Sequence, residues 1–207
     1  MTVLRADAER NRVRVLAAAT RVFAEHGASA TLNDVAAAAG VGVGTVYRRF
    51  ADKEAVLDAL FDEKLDALVA LADDAAQVED AGDAFRQLLL GVMEKRATDR
   101  GLDAILTAPS RSARFAEELG RRFIPTVDQL VARAIEAGEL RPGFTGQEVC
   151  ILGFMVGSVA DITRADDAQV WRRYAQLLVD GTRPAASVLT PPPLTFEQNA
   201  AALGRAG

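Results

Sequence analysis

The chain has 207 residues, half of them hydrophobic and about a quarter charged, with a net charge of −5; that supports a packed core and excludes a polycation or a globally disordered chain. A single cysteine, Cys150, and a single histidine, His26, exclude an intrachain disulfide framework, a Cys/His zinc cluster and a histidine-rich metal or acid–base site. The charged N-terminus has no apolar segment of signal-peptide length, and the longest apolar run, Val149 to Ala160, falls short of the roughly 18 residues of a membrane span, so a cytoplasmic protein is expected.

Charge is uneven. Residues 1–56 carry eight Lys/Arg against six Asp/Glu, a balance of +2 that leaves −7 on the remainder. A mildly basic end on an acidic body suits a protein that meets a polyanion at one end.

The periodic segments follow the 3.6-residue pattern and predict an all-α chain. A first helix is expected over residues 8–26, with Val13, Leu16, Ala17, Thr20, Phe23 and Ala24 as its core stripe and Gly27 closing it. Thr31 and Asp34 predict a capping box for a short second helix over 32–39, which Gly40 ends. A third short helix is expected over 43–50, with Val43, Val46, Tyr47 and Phe50 inward and Gly44, Thr45, Arg48 and Arg49 outward. Asp52 then caps a helix to Ala76, about 36 Å long and long enough to link two domains. Its apolar side runs Val56, Leu57, Leu60, Phe61, Leu65, Leu68, Leu71 and Ala72.

Further helices are expected at 81–97, 101–108, 111–123, 125–137, 146–164 and 168–181, with a break at Pro142-Gly143. Beyond Arg183, Pro184 and the run Pro191-Pro192-Pro193 predict an extended tail, where Leu194, Phe196 and Leu203 offer anchors onto the body.

Two short helices joined by a glycine-containing turn have the form of a helix-turn-helix. Neither is long enough to stand alone, so each depends on the stripe they bury together. The outward side of the third helix then offers a side-chain-free glycine for close approach, a threonine hydroxyl and methyl, and an arginine able to fork onto guanine or phosphate.

The stretch from Thr31 to Leu57, with Ala39-Gly40-Val41, Gly44-Thr45-Val46-Tyr47, Phe50 and Lys53-Glu54, resembles the DNA-binding domain of TetR-type (tetracycline-repressor-like) bacterial regulators. The preceding helix, with Phe23 and Gly27, matches that family's first helix. The resemblance implies an N-terminal three-helix DNA-binding domain at 1–52. It also implies an all-α ligand-binding and dimerisation domain at 53–183, with 53–76 as linking helix, and a Pro-containing extension at 184–207.

The resemblance implies DNA contacts from Thr31, Gly42, Val43, Gly44, Thr45, Tyr47, Arg48 and Lys53. Tyr47 and Lys53 match phosphate-binding positions, the latter aided by a helix N-terminus. Gly42 stands where the family commonly has serine, which removes a possible hydroxyl contact. The implied function is a one-component transcriptional regulator, a repressor, bound as a homodimer to a palindromic double-stranded DNA operator and released by a small-molecule effector.

For the dimer, the stripe Val149, Leu152, Gly153, Val156, Val159 and Ala160 with Trp171, Tyr174, Leu177 and Leu178 is expected to pair with its symmetry mate. For the effector pocket, the wall candidates are Phe85, Leu89, Met93, Ile105, Leu106, Phe115, Phe123, Leu130 and Phe154, with Arg122 and Gln129 as polar contacts. No cofactor, catalytic residue or metal ligand is called for. His26 reads as a helix-end residue and Cys150 as an inert core thiol. The main rivals are a small all-α metal enzyme using Asp73-Asp74, and a helical adaptor that binds no DNA.

Overall fold

The computed structural model describes residues 2–99, 109–185, 189–195 and 198. Its helices are α1 (Thr2–His26), α2 (Leu32–Ala39), α3 (Val43–Arg49), α4 (Lys53–Ala76), α5 (Ala81–Thr98), α6 (Pro109–Arg122), α7 (Ile124–Glu136), α8 (Gly146–Thr163) and α9 (Trp171–Gly181). No strand occurs among the described residues, so the fold is all-α. The helix expected at 101–108 lies outside the described residues, as do the tail anchors Phe196 and Leu203. Leu194 is exposed and does not dock. None of the described helices is long and apolar enough to cross a membrane.

Local signals set most helix ends. The Asp52 carboxylate accepts from Ala55 N–H and the Asp80 carboxylate from Asp83 N–H, both at 2.8 Å. Thr145 N–H donates to the Glu148 carboxylate at 2.7 Å. Each bond satisfies a donor that a helix terminus would otherwise leave unpaired.

The head is α1 to α3. The faces of α1 differ from the expected stripe: Val15, Leu16, Ala18, Ala19, Val22 and Phe23 are buried, whereas Val13 is 56% exposed and Ala17 lies outside. The cause is that α1 is packed by α2 and α4 together and so buries a wider, rotated face. Hydropathy does not distinguish Ala17 from Ala18 and Ala19.

Helix α3 also differs. Val46 and Phe50, one turn apart, are its buried pair, while Val43 (44% exposed) and Tyr47 (53%) turn outward. Two turns of helix resting on α2 have room for one inward stripe, and the spacing of 46 and 50 takes it.

Helix α4 links head and body with one buried face, Val56, Leu57, Leu60, Phe61, Leu65, Leu68, Ala72 and Ala75. The body is built round α5, whose Phe85, Leu88, Leu89, Val92 and Met93 are buried. It packs most extensively against α8. A Cβ on Gly153 would lie 2.8 Å from Val92 Cγ1, and one on Gly157 would lie 3.2 Å from the Arg96 carbonyl oxygen.

Edge-on pairs Phe61–Phe115 and Phe85–Phe144, each with centroids 5.4 Å apart, fasten α6 to α4 and the α7–α8 connection to α5. Arg133 of α7 donates to the carbonyls of Val78 (2.9 Å) and Glu79 (3.1 Å), holding the turn between α4 and α5. Ion pairs Lys64–Asp99 (2.8 Å), Arg122–Asp66 (2.7 Å) and Arg114–Asp58 (3.1 Å) tie α4 to the end of α5 and to α6.

Candidate nucleic-acid interface

Helix α2, which leads into the turn to α3, is closed by bonds at both ends. At the start of α2, Thr31 N–H donates to Asp34 Oδ2 at 2.9 Å and Asp34 N–H donates to Thr31 Oγ1 at 3.2 Å. The Thr31 hydroxyl also donates to Asp34 Oδ2 at 2.6 Å. These bonds, the hydroxyl first, hold the Asp34 carboxyl below its ordinary value.

At the end of α2, Gly40 takes the left-handed conformation (φ +63°) that a residue with a side chain reaches only at a cost. It lets Val41 N–H reach the Ala36 carbonyl at 3.1 Å. Across from it, Arg14 Nη2 of α1 donates to the Ala39 carbonyl at 2.9 Å. This clamp has no counterpart among the expectations from sequence. Its only local trace is a basic residue at a helix position whose target lies 25 residues away.

Gly42 starts α3 in extended backbone, and its carbonyl accepts from Thr45 N–H at 2.8 Å. Gly42, Val43, Gly44, Tyr47, Arg48 and Arg49 are exposed and Thr45 is partly so. Arg48 Nη2 donates to Thr45 Oγ1 at 2.9 Å. Lys53, at the first turn of α4, is half-buried with its Nζ 5.4 Å from the centroid of the Phe23 ring. No carboxylate occurs in the sequence between Asp34 and Asp52.

Helix α3 and Lys53, at the first turn of the next helix, therefore offer a hydroxyl, a phenol, guanidinium and ammonium groups, and Thr31 is exposed at the start of α2. This set can donate to phosphates and to base edges, with an exposed helix that fits a major groove. Arg48 and Arg49 also sit in the last turn of α3, where the helix dipole favours cations.

The other predicted residues divide. Phe85, Leu89, Met93, Phe115, Phe123 and Leu130 are buried together in the body. Ile105 and Leu106 lie outside the described residues. Two expected wall residues do not join the core: Gln129 is exposed, and Phe154 is on the outer side of α8, where Arg96 stacks on it at 5.4 Å. Arg122 is engaged by Asp66 at the border of α4 and α6.

The expected interface stripe divides as well. Val149, Gly153, Val156, Ala160 and Trp171 are buried inside the protomer, the α8 residues toward α5, and Leu152, Val159 and Leu178 are half-buried. The outward apolar side is Phe154, Met155, Ile162 (79% exposed), Tyr174 and Leu177 (58%). Helix α8 is apolar on most of its circumference, so hydropathy alone could not say which face the protomer covers.

His26 is the last residue of α1 and is exposed, its carbonyl accepting from Ser29 Oγ at 2.7 Å. Cys150 is partly buried, and burial, reinforced by Asp128, pushes its thiol up to about 12. Asp73, Asp74, Asp166 and Asp167 are exposed. Among the described residues no group of three His, Cys, Asp or Glu could hold a metal ion.

Two family models match the chain. One described as "Bacterial regulatory proteins, tetR family" matches residues 15–60, and one described as "Transcriptional regulator SbtR-like, C-terminal domain" matches residues 80–184. A TetR transcription regulatory protein from Mycobacterium vanbaalenii has a similar crystal structure, with TM-score 0.63 and 27% identity, covering 87% of this chain and 99% of that one. The fatty acid metabolism regulator protein of Bacillus subtilis is 24% identical over 138 residues, 63% of this chain and 71% of that protein. The HTH-type transcriptional regulator TtgR of Pseudomonas putida is 34% identical over 97 residues, 45% of this chain and 46% of that protein.

Proposed function

The chain belongs to the TetR family of bacterial transcriptional regulators and not to an enzyme family, and from that premise we propose that it is a repressor that binds a palindromic operator as a homodimer and leaves it when a small molecule enters the body. The observation that carries the DNA half is the outer side of α3: exposed, free of carboxylates, and bordered by Lys53. Tyr47 and Lys53 take phosphates, and Thr31, whose hydroxyl proton is given to Asp34, lies near the DNA backbone. Gly42, Val43 and Gly44 bring the helix close, and Thr45 and Arg48 face the groove. Residues 1–52 then serve DNA, 53–183 the effector and the dimer, with 53–76 linking the two, and 184–207 form an extension.

A two-fold dimer matches this geometry because two recognition helices must meet successive major grooves. The exposed apolar side of α8 and α9 supports pairing there. The effector would open a space among the aromatic and aliphatic side chains between α5, α6 and α7, which favours an apolar ligand. Moving occupancy of the operator from 1:99 to 99:1 asks for about 5.5 kcal/mol of differential affinity between the two conformations. Helix α4 touches both parts and is the lever.

Operator affinity measured against salt tests the DNA half with Tyr47→Phe, Lys53→Ala and Arg48→Ala. Each lost phosphate contact lowers affinity and flattens the salt slope by about one unit per half-site. Unchanged binding in all three variants overturns the assignment.

A further inference from the structure

Arg48 and Thr45 stand one turn apart on the outer side of α3, and Thr45 Oγ1 accepts the Arg48 Nη2–H at 2.9 Å. This bond folds the guanidinium back toward the start of the helix. Its Nη1 lies 3.8 Å from the point where a Cβ on Gly44 would sit. With no side chain at Gly44, nothing from that residue stands between the guanidinium and an approaching base pair.

A guanidinium carries five N–H donors in one plane. The bond to Thr45 uses one Nη2 hydrogen and leaves a second on Nη2, two on Nη1 and one on Nε. Two parallel donors remain, which is the pattern that O6 and N7 of guanine accept in the major groove. A long exposed side chain otherwise samples many rotamers, so a fixed acceptor one turn away restricts where the fork points.

We propose that Arg48 reads a guanine in each operator half-site and that Thr45 is the positioning residue that aims it. The inference rests on the reading of α3 as the helix that enters the groove. It makes base identity at one position depend on two side chains, only one of which touches the base.

Selection of bound duplexes from a random pool tests this with the wild-type chain, Arg48→Ala, Thr45→Val and Thr45→Ser. The wild type should enrich a palindrome with a G·C pair at one position per half-site. Arg48→Ala should flatten the preference at that position alone, by about 10-fold or more. Thr45→Val should weaken the same position part of the way, and Thr45→Ser should restore it. These side chains are outside the core, and an unchanged thermal transition checks that each variant folds.

An even loss of affinity across all sequences in Arg48→Ala would make Arg48 a phosphate contact and overturn the proposal. So would a Thr45→Val profile that changes elsewhere or not at all. A wild type that enriches no sequence and shows no salt-dependent affinity removes the DNA-contact reading itself. An enriched palindrome with no base that depends on Arg48 removes only this inference.

Discussion

At the scale of single residues, the Thr31 hydroxyl makes two bonds at the start of α2: it accepts from Asp34 N–H and donates to the Asp34 carboxylate. Asp34 completes the cap and is held below its ordinary value of 3.8 chiefly by that hydroxyl. A depressed folded value means the carboxylate form is the one folding favours. Its contribution is whole above pH 3.8 and is lost as pH falls through the lower folded value. Thr31→Ala should therefore lower the thermal transition at neutral pH and shrink its fall on acidification, read by circular dichroism from pH 6 down. Thr31→Ser should behave as wild type.

Gly40→Ala forces a side chain into φ +63° and should cost about 1–2 kcal/mol in chemical denaturation. Cys150 has the opposite sign to Asp34. The folded chain keeps its proton between pH 9.0 and about 12, where an unfolded thiol gives it up, so stability falls as pH rises through that window. In the folded protein at pH 8, iodoacetamide should alkylate Cys150 far more slowly than in denaturant, as mass spectrometry of the peptide would show.

At the scale of elements, the body depends on how closely α8 approaches α5. Gly157 faces the Arg96 carbonyl, a backbone atom that cannot rotate away, at 3.2 Å from an added Cβ. Gly157→Leu should destabilise by about 2 kcal/mol or more, since overpacking adds to the displacement of α5. Gly181, the last residue of α9, has nothing within 4 Å of an added Cβ, and Gly181→Ala should leave stability within about 0.5 kcal/mol. Paired denaturation curves separate the two. The exposed charge pairs of α4 with α6 contribute little by comparison, because water screens them. The register of α6 on α4 rests more on Phe61 against Phe115, with Arg114 stacked on Phe61 at 4.5 Å.

At the scale of the whole molecule, the outer side of α8 and α9 leaves Ile162 and Leu177 in water. If two copies pair there, Ile162→Glu with Leu177→Glu should convert a dimer to a folded monomer in sedimentation velocity. The same change should lower operator affinity at least 10-fold, because one head then loses the help of the other. A variant that stays dimeric places the interface elsewhere. Val149, Gly153 and Val156 would not serve for this test: they are core, and their replacement unfolds the protomer instead of separating it.

The helical class, most helix boundaries and the side-chain types carried by α3 are legible in the chain without its fold. Those depend on signals within a few residues: the Thr31–Asp34 box, Gly27 and Gly40, the Asp52 cap, and the run from Gly44 to Arg49 without a carboxylate. Which faces are covered is set by packing between helices distant in the chain. That packing rotates the buried side of α1, turns Val43 and Tyr47 outward, covers Val149, Gly153, Val156 and Ala160, and brings Arg14 across to Ala39. Each of these is set by helices that lie far off in the chain. An apolar residue looks the same in sequence whether its neighbour in space is the protomer's own core or open solvent.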